Sequence, residues 1–96
     1  MKAETIKREI QPMAFYLDAL PGMKPPRRFG WTDGGCCPFH DDTKPGSFRV
    51  NTESGGFVCY ACGARGGDIL AFVMARDGVS LPEAVHTLAS DWGVSR

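Results

Sequence analysis

The chain has 96 residues, of which 43% are hydrophobic and 23% charged, a composition typical of a folded domain and too apolar for a disordered one. The zero net charge argues against nucleic-acid binding by bulk electrostatics, because each phosphate contact needs a cation. No run approaches the roughly 18 apolar residues that span a bilayer, and the charged N-terminal residues do not form a signal peptide. We therefore expect a cytoplasmic protein whose small core needs an additional constraint.

Residues 1–23 are predicted to form an amphipathic helix. Their apolar residues recur at intervals of three and four, which is the helical period. Pro12 interrupts this stripe, so that the helix either bends at Pro12 or begins there, where the missing N–H of proline costs little. Pro21 and Gly22 then end the helix. The stripe consists of Ile6, Ile10, Met13, Leu17 and Leu20.

Residues 24–65 contain the signals of a small antiparallel sheet. The pair Pro25-Pro26 favours an extended connector that leads into a strand over residues 29–31. Two later runs, 47–51 and 56–60, are rich in aromatic and β-branched residues and are separated by a turn sequence. These two runs predict a β-hairpin.

Residues 66–96 predict a pair of helices. Asp68 can cap the first helix, and Gly78 stands where a left-handed residue would end it. Ser80 and Glu83 have the spacing of a capping box at the start of the second helix. Together with the preceding segments, this pair predicts one compact α+β domain. The apolar stripe of the second helix consists of Leu81, Ala84, Val85, Leu88, Ala89 and Trp92.

Two ligand pairs, each separated by two residues, predict a metal site. Cys37 and His40 form the first pair, and Cys59 and Cys62 form the second, with the hairpin between them. This spacing is typical of structural zinc sites, and three thiolates with one imidazole leave no position for a catalytic water. We therefore expect one structural Zn²⁺ ion, which supplies the stability that the small core lacks.

Other interpretations of the cysteines and of the second histidine remain open. The cysteines can be buried, inert thiols, and Cys59 with Cys62 can be a redox pair, although no βαβ unit surrounds them. Cys36 is predicted to be a small packing residue, because in an extended segment its side chain points away from that of Cys37. His86 is expected to be solvated.

The segments CPFHDDTKPGSFRV and FVCYACGARGGDILAFV closely resemble the N-terminal zinc-binding domain of bacterial DnaG-type DNA primases, over about residues 29–92. The resemblance implies a zinc ribbon, which is a small antiparallel sheet flanked by an N-terminal helix and two C-terminal helices. It also implies a module that engages single-stranded template. The ligands that it implies are Cys37, His40, Cys59 and Cys62.

Two departures from the family pattern affect these expectations. Gly46 is inserted between Pro45 and Ser47, which changes the loop after the first ligand pair. The primases also carry a separate catalytic domain whose carboxylates bind magnesium, and the chain ends soon after the ribbon. The resemblance therefore implies a stand-alone, non-catalytic module, encoded by a bacterium, a phage or a mobile element.

A basic and aromatic surface on the ribbon is predicted to bind single-stranded DNA and so to support or modulate priming. Along the first hairpin strand, alternation places Arg49 on the face opposite Phe48 and Val50. Cations can hold the DNA backbone while aromatic rings stack on its bases. The alternative is that the basic residues only aid solubility and the aromatic ones form the core, as we expect for Phe39, Phe57 and Phe72. The candidate contacts are Arg27, Arg28, Lys44, Arg49, Tyr60 and Arg65.

A second function class is a protein-interaction module that docks on a primase, a helicase or another replication or regulatory protein. Such a module would dock with the same ribbon or with the apolar N-terminal helix. The zero net charge favours it, as does an apolar cluster on that helix, provided that the cluster is exposed. An independent enzyme has little support, because no nucleophile and base pair is evident and no small-molecule substrate is indicated. The cluster consists of Met13, Phe15, Tyr16 and Leu17.

Overall fold

The computed structural model describes residues 2–39 and 47–94, and these form four helices and one four-stranded antiparallel sheet. The elements are α1 (Ala3–Glu9), α2 (Pro12–Ala19), β1 (Trp31–Asp33), β2 (Phe48–Asn51), β3 (Phe57–Cys59), β4 (Arg65–Gly66), α3 (Ile69–Asp77) and α4 (Leu81–Asp91). The strand order β1-β2-β3-β4 follows the chain. The α+β fold predicted from the sequence is therefore confirmed. Within the described ranges, no helix is long and apolar enough to span a membrane.

The N-terminal segment forms two short helices instead of one. Between them, Gln11 is extended, with φ −68° and ψ 126°. Pro12 favours this conformation, because its ring would clash with the backbone of Gln11 if Gln11 were helical. Pro12 is the first residue of α2, where its missing N–H breaks no helical hydrogen bond. Of the two alternatives, a helix that begins at Pro12 is the one observed, and α1 is a separate helix ahead of it.

Both N-terminal helices pack into the core. Ile6 of α1 is buried, and Phe15 and Tyr16 of α2 are 3% and 0% exposed. Helix α1 contacts α3 and α4, and α2 contacts β2. The hypothesis of an exposed docking patch at Met13, Phe15, Tyr16 and Leu17 is therefore wrong, because both aromatic rings are interior and the other two side chains are half-buried.

The first strand begins at Trp31, two residues later than the predicted start at residue 29. Thr52 fixes this boundary: its N–H donates to the carbonyl oxygen of Gly30 at 2.9 Å, and the N–H of Gly30 donates to Thr52 Oγ1 at 3.1 Å. Gly30 has φ 117°, which interrupts an extended strand and which residues with a side chain rarely adopt. Phe29 therefore lies outside the sheet.

The predicted hairpin is confirmed as β2 and β3, and its two faces differ. The inner face consists of side chains that are no more than 1% exposed, namely Phe48, Val50, Phe57 and Cys59. On the outer face, Arg49 and Val58 are half-buried and paired across the two strands. Strand β4, which the sequence pattern does not predict, extends this outer face because Arg65 pairs with Val58.

Phe72 in α3 is the centre of an aromatic core that joins the helices to the sheet. Its ring centroid lies 5.2–6.4 Å from those of five other rings. The predicted core positions of Phe57 and Phe72 are correct, and Phe39 is half-buried and stacks on Phe57 at 5.4 Å. The five rings around Phe72 belong to Phe15, Tyr16, Phe39, Phe48 and Phe57.

The predicted caps of the C-terminal helix pair are present. Asp68 Oδ1 accepts a hydrogen bond of 2.8 Å from a backbone N–H in the first turn of α3, and Gly78 ends that helix with φ 65°. Ser80 and Glu83 form the capping box of α4. Leu81 differs from the prediction: it is 43% exposed at the first position of α4 and does not join the buried face of the helix.

Candidate metal centre and nucleic-acid face

Three cysteines that are distant in sequence lie together in the structure. The Sγ atoms of Cys37, Cys59 and Cys62 are all within 4.8 Å of one another, and those of Cys37 and Cys62 are 3.8 Å apart. Two sulfur ligands at about 2.3 Å from a tetrahedral zinc ion are separated by about 3.8 Å. The spacing of the thiols therefore fits a zinc ion.

The turn between β3 and β4 positions two of these thiols. The N–H of Cys59 donates to the carbonyl oxygen of Ala64 at 2.7 Å, and the N–H of Gly63 donates to the carbonyl oxygen of Cys59 at 2.8 Å. Gly63 has φ 81°, so that the chain can reverse directly after Cys62. The reversal brings Cys62 back towards the buried thiol of Cys59.

The third thiol comes from the loop after β1. Cys37 is buried, and its Sγ accepts a hydrogen bond of 3.4 Å from the backbone N–H of Phe39. The ring of Phe39 packs on the aromatic core through Phe57 and Phe72. Cys37 therefore brings a thiol to the cluster, and Phe39, two residues later, anchors the same loop to the aromatic core.

Burial and hydrogen bonding act in opposite directions on two of the thiols. Burial raises the pKa of Cys37 to about 12. Burial also acts to raise the pKa of Cys59, but the backbone N–H groups of Cys62 and Ala61 favour its thiolate and lower the pKa overall. A metal ion binds cysteines in their thiolate form and so displaces the thiol protons. The cluster is therefore suited to a cation that takes the place of those protons.

The other predicted ligands and cysteines have different outcomes. His40 and Lys44 lie outside the described residues, so their roles stay predictions. Cys36 is exposed and is not in the thiol cluster. Its predicted role as a packing residue is therefore wrong, because the turn after β1 directs it to solvent while Cys37 enters the interior. His86 is exposed, as predicted.

The outer face of the sheet brings together some of the predicted nucleic-acid contacts. Arg49 of β2 pairs with Val58 of β3, which pairs with Arg65 of β4, so the two guanidinium groups extend from one row of the sheet. Tyr60, directly after β3, is 75% exposed. Arg27 lines a separate cleft beside β1, and no described contact places Arg28 on the sheet.

Comparison with known proteins shows the family to which the chain is related. Residues 27–96 match the CHC2 zinc finger, the zinc ribbon of DnaG. The chain belongs to this family. Its cofactor is therefore zinc.

Relatives of this primase zinc ribbon are DNA primases of bacteria. The DNA primase of Mycolicibacterium smegmatis is 48% identical over 59 residues, which is 62% of this chain and 9% of that protein. The DNA primase of Neisseria meningitidis serogroup A is 38% identical over 78 residues, which is 81% of this chain and 13% of that protein. The chain thus spans only about a tenth of the length of these relatives.

A solved structure of Aquifex aeolicus primase, containing zinc-binding and RNA polymerase domains, shares the fold with a TM-score of 0.69 and 28% identity. The match covers 97% of this chain and 22% of that one. The similarity of the primase zinc ribbon is therefore to the zinc-binding part of primases, which is not the catalytic part.

Two exposed aromatic residues of the primase zinc ribbon were missed by reasoning from sequence. Phe29 and Trp31 are 65% and 54% exposed. Trp31 of β1 pairs with Asn51 of β2. Asn51 and Arg49 are two residues apart on β2 and so share a face, which places the Trp31 side chain on the same face as Arg49. A strand pattern alone cannot tell which face an isolated aromatic residue occupies, because that depends on pairing with a distant strand.

Proposed function

We propose that this zinc ribbon binds single-stranded DNA with the outer face of its sheet and so supports or modulates primer synthesis in the bacterial cytoplasm, without carrying out nucleotide transfer itself. The observation that carries the proposal is the row of Arg49 and Arg65 on one face, with Trp31 and Tyr60 exposed beside it. Cations of such a row can contact phosphates, while the rings offer stacking surfaces to bases.

The proposed ligands of the zinc ion are Cys37, His40, Cys59 and Cys62. The three thiols are already grouped, and the histidine follows the first of them at the spacing of a zinc knuckle. Four protein ligands complete a tetrahedral shell, so the ion holds the loop after β1 against the β3–β4 turn. The metal is therefore structural in this proposal.

The distribution of charge explains how a chain with zero net charge can bind a polyanion. The outer-face row holds two cations, Arg49 and Arg65, and one carboxylate, Asp33, whereas other acidic residues such as Asp77 and Glu83 lie on the C-terminal helices. Asp77 is already paired with Arg76, whose guanidinium lowers the pKa of that carboxyl. Since screening limits the reach of surface charges to about 8–10 Å at moderate salt, the local cations dominate at the sheet.

The test is the fluorescence anisotropy of a labelled single-stranded oligonucleotide titrated with zinc-loaded protein at low and near-physiological salt, with duplex as the comparison. We expect saturable binding that prefers single strands and weakens with salt. Joint replacement Lys44→Ala and Arg49→Ala should weaken it, whereas Arg8→Ala, which removes an exposed charge of α1, should not. Absence of binding at low salt would refute the proposal.

A further inference from the structure

A groove on the outer face of the sheet lies between Trp31 and the β4 strand. It has a volume of about 490 Å³. Its one charged lining residue within the described part of the chain is Arg65, and the rest of the lining is apolar or glycine backbone. The lining consists of Trp31, Phe57, Val58, Arg65, Gly66 and Gly67.

Glycine backbone forms part of this groove. The Cη2 atom of Trp31 lies only 3.5 Å from the position where a Cβ of Gly56 would stand, so the indole reaches across β2 to the start of β3. A Cβ on Gly66 would stand 2.5 Å from the ring of Phe57, so this position in β4 cannot carry a side chain without moving the core. The floor beside the indole is therefore backbone.

The indole of Trp31 stacks on no other ring among the described residues, and it is 54% exposed. An exposed tryptophan beside an open backbone floor offers a flat apolar surface to a second flat group. Arg65 at the same groove adds a cation, and Arg49 lies in the adjacent row. A planar base attached to an anionic backbone combines both requirements.

We propose that this groove holds one unpaired nucleobase, stacked on the indole of Trp31, with Arg65 contacting an adjacent phosphate. The inference rests on the proposed binding of single-stranded DNA and deepens it by assigning a base subsite. Stacking is tolerant of sequence because every base has a π-face, so the groove should accept any of the four bases.

The test separates base contacts from phosphate contacts. Zinc-loaded protein is titrated into two labelled oligonucleotides of equal length, oligo(dT) and an abasic strand that keeps every phosphate but has no bases. Trp31→Ala should weaken oligo(dT) binding by about 5- to 150-fold, which corresponds to roughly 1–3 kcal/mol for one stacked base. It should leave binding of the abasic strand unchanged. Trp31→Phe, which keeps a ring, should retain most of the affinity.

A second variant fills the groove without removing the indole. Nothing lies within 4 Å of a Cβ added at Gly67, and its φ is outside the left-handed region, so Gly67→Leu should fold normally. It should weaken binding of oligo(dT) more than that of the abasic strand. The matched control Ala75→Leu places the same side chain on an exposed position of α3 and should have no effect.

Fluorescence gives an independent readout of the stacked ring. The chain has two tryptophans, so Trp92→Phe leaves Trp31 as the sole indole. Saturating oligo(dT) should quench its emission, and the abasic strand should not. Oligo(dU) and oligo(rU), which carry the same base, should quench equally in this assay, since stacking does not depend on the sugar.

Different failures have different meanings. If the unmodified protein binds neither strand, the proposed function and the base subsite both fail. If it binds oligo(dT) but Trp31→Ala binds equally well, or loses both strands equally, the subsite alone is overturned. Unequal quenching by oligo(rU) and oligo(dU) would also overturn it, because the groove would then be reading the sugar.

Discussion

The hydroxyl of Tyr16 donates a hydrogen bond to the carbonyl oxygen of Gly55, 39 residues further along the chain. Tyr16 belongs to α2, and Gly55 lies in the loop that joins β2 to β3. Gly55 is buried and has φ 88°, with its backbone against Ile69 at the start of α3. The bond therefore makes the N-terminal helix part of the ribbon core, which removes it as a free docking element.

Replacing Tyr16 by phenylalanine should destabilise the domain by about 1–3 kcal/mol, because the buried carbonyl of Gly55 loses its donor. The measurement is urea unfolding of the zinc-loaded protein followed by circular dichroism. The matched control is Tyr60→Phe, which removes a hydroxyl from a ring that is 75% exposed and should change stability by less than about 0.5 kcal/mol. Equal effects of the two variants would contradict the assigned role of Tyr16.

The stability that Tyr16 contributes should disappear at high pH. Burial, assisted by the nearby charge of Asp68, raises the pKa of Tyr16 above its ordinary value of 10.0. The unfolded chain therefore loses this proton first as pH rises, so the contribution is complete below pH 10 and declines above it. Relative to Tyr16→Phe, the unmodified protein should lose about 1.4 kcal/mol by pH 11. A stability difference between the two proteins that is constant from pH 8 to pH 11 would show that the hydroxyl is not shielded.

Features that depend only on residues close together in the sequence could be predicted. The caps at Asp68 and Ser80 and the spacing of the cysteine pairs are local patterns, and the thiol cluster agrees with the pattern at each described position. The exposure of Trp31 could not be predicted, because it follows from pairing with Asn51. The burial of Tyr16 likewise depends on a contact with a loop that comes much later in the chain.

Zinc retention should depend on Cys62 but not on Cys36. Cys62→Ser removes one of the three grouped sulfurs and should lower zinc affinity by more than about 100-fold, the upper end of the loss seen when only an outer partner of a ligand is removed. Cys36→Ser changes an exposed thiol outside the cluster and should keep one zinc per chain. The measurement is competition with a chromophoric chelator. Loss of zinc in Cys36→Ser would show that this thiol is a ligand.

His40 should complete the metal shell. Because three thiolates and one imidazole form a tetrahedral set, the cobalt-substituted protein should show tetrahedral d–d absorption together with thiolate charge-transfer bands. His40→Ala should shift these d–d bands to longer wavelength, since water, a weaker-field ligand than imidazole, would enter the fourth position, and should lower zinc affinity. His86→Ala, at an exposed position of α4, is the matched control and should change neither. An unchanged cobalt spectrum in His40→Ala would assign the fourth position to another group.

The salt dependence of DNA binding should report the two arginines of the outer row. For single strands, the slope of log affinity against log salt is about −0.7 for each phosphate contact, because each contact releases condensed counterions. Arg49→Ala and Arg65→Ala should each reduce the magnitude of the slope by about 0.7, and together by about 1.4, if both contact phosphates. Anisotropy titrations at four or more salt concentrations give the slope. Arg8→Ala removes the same charge from α1 and should leave the slope unchanged, so an equal change in that variant would mean that binding follows overall charge and not the sheet face.

Trp31→Ala should lower affinity at every salt concentration without altering the slope, because stacking releases no counterions. A slope that changed with Trp31 would place the indole at the phosphates and not at a base.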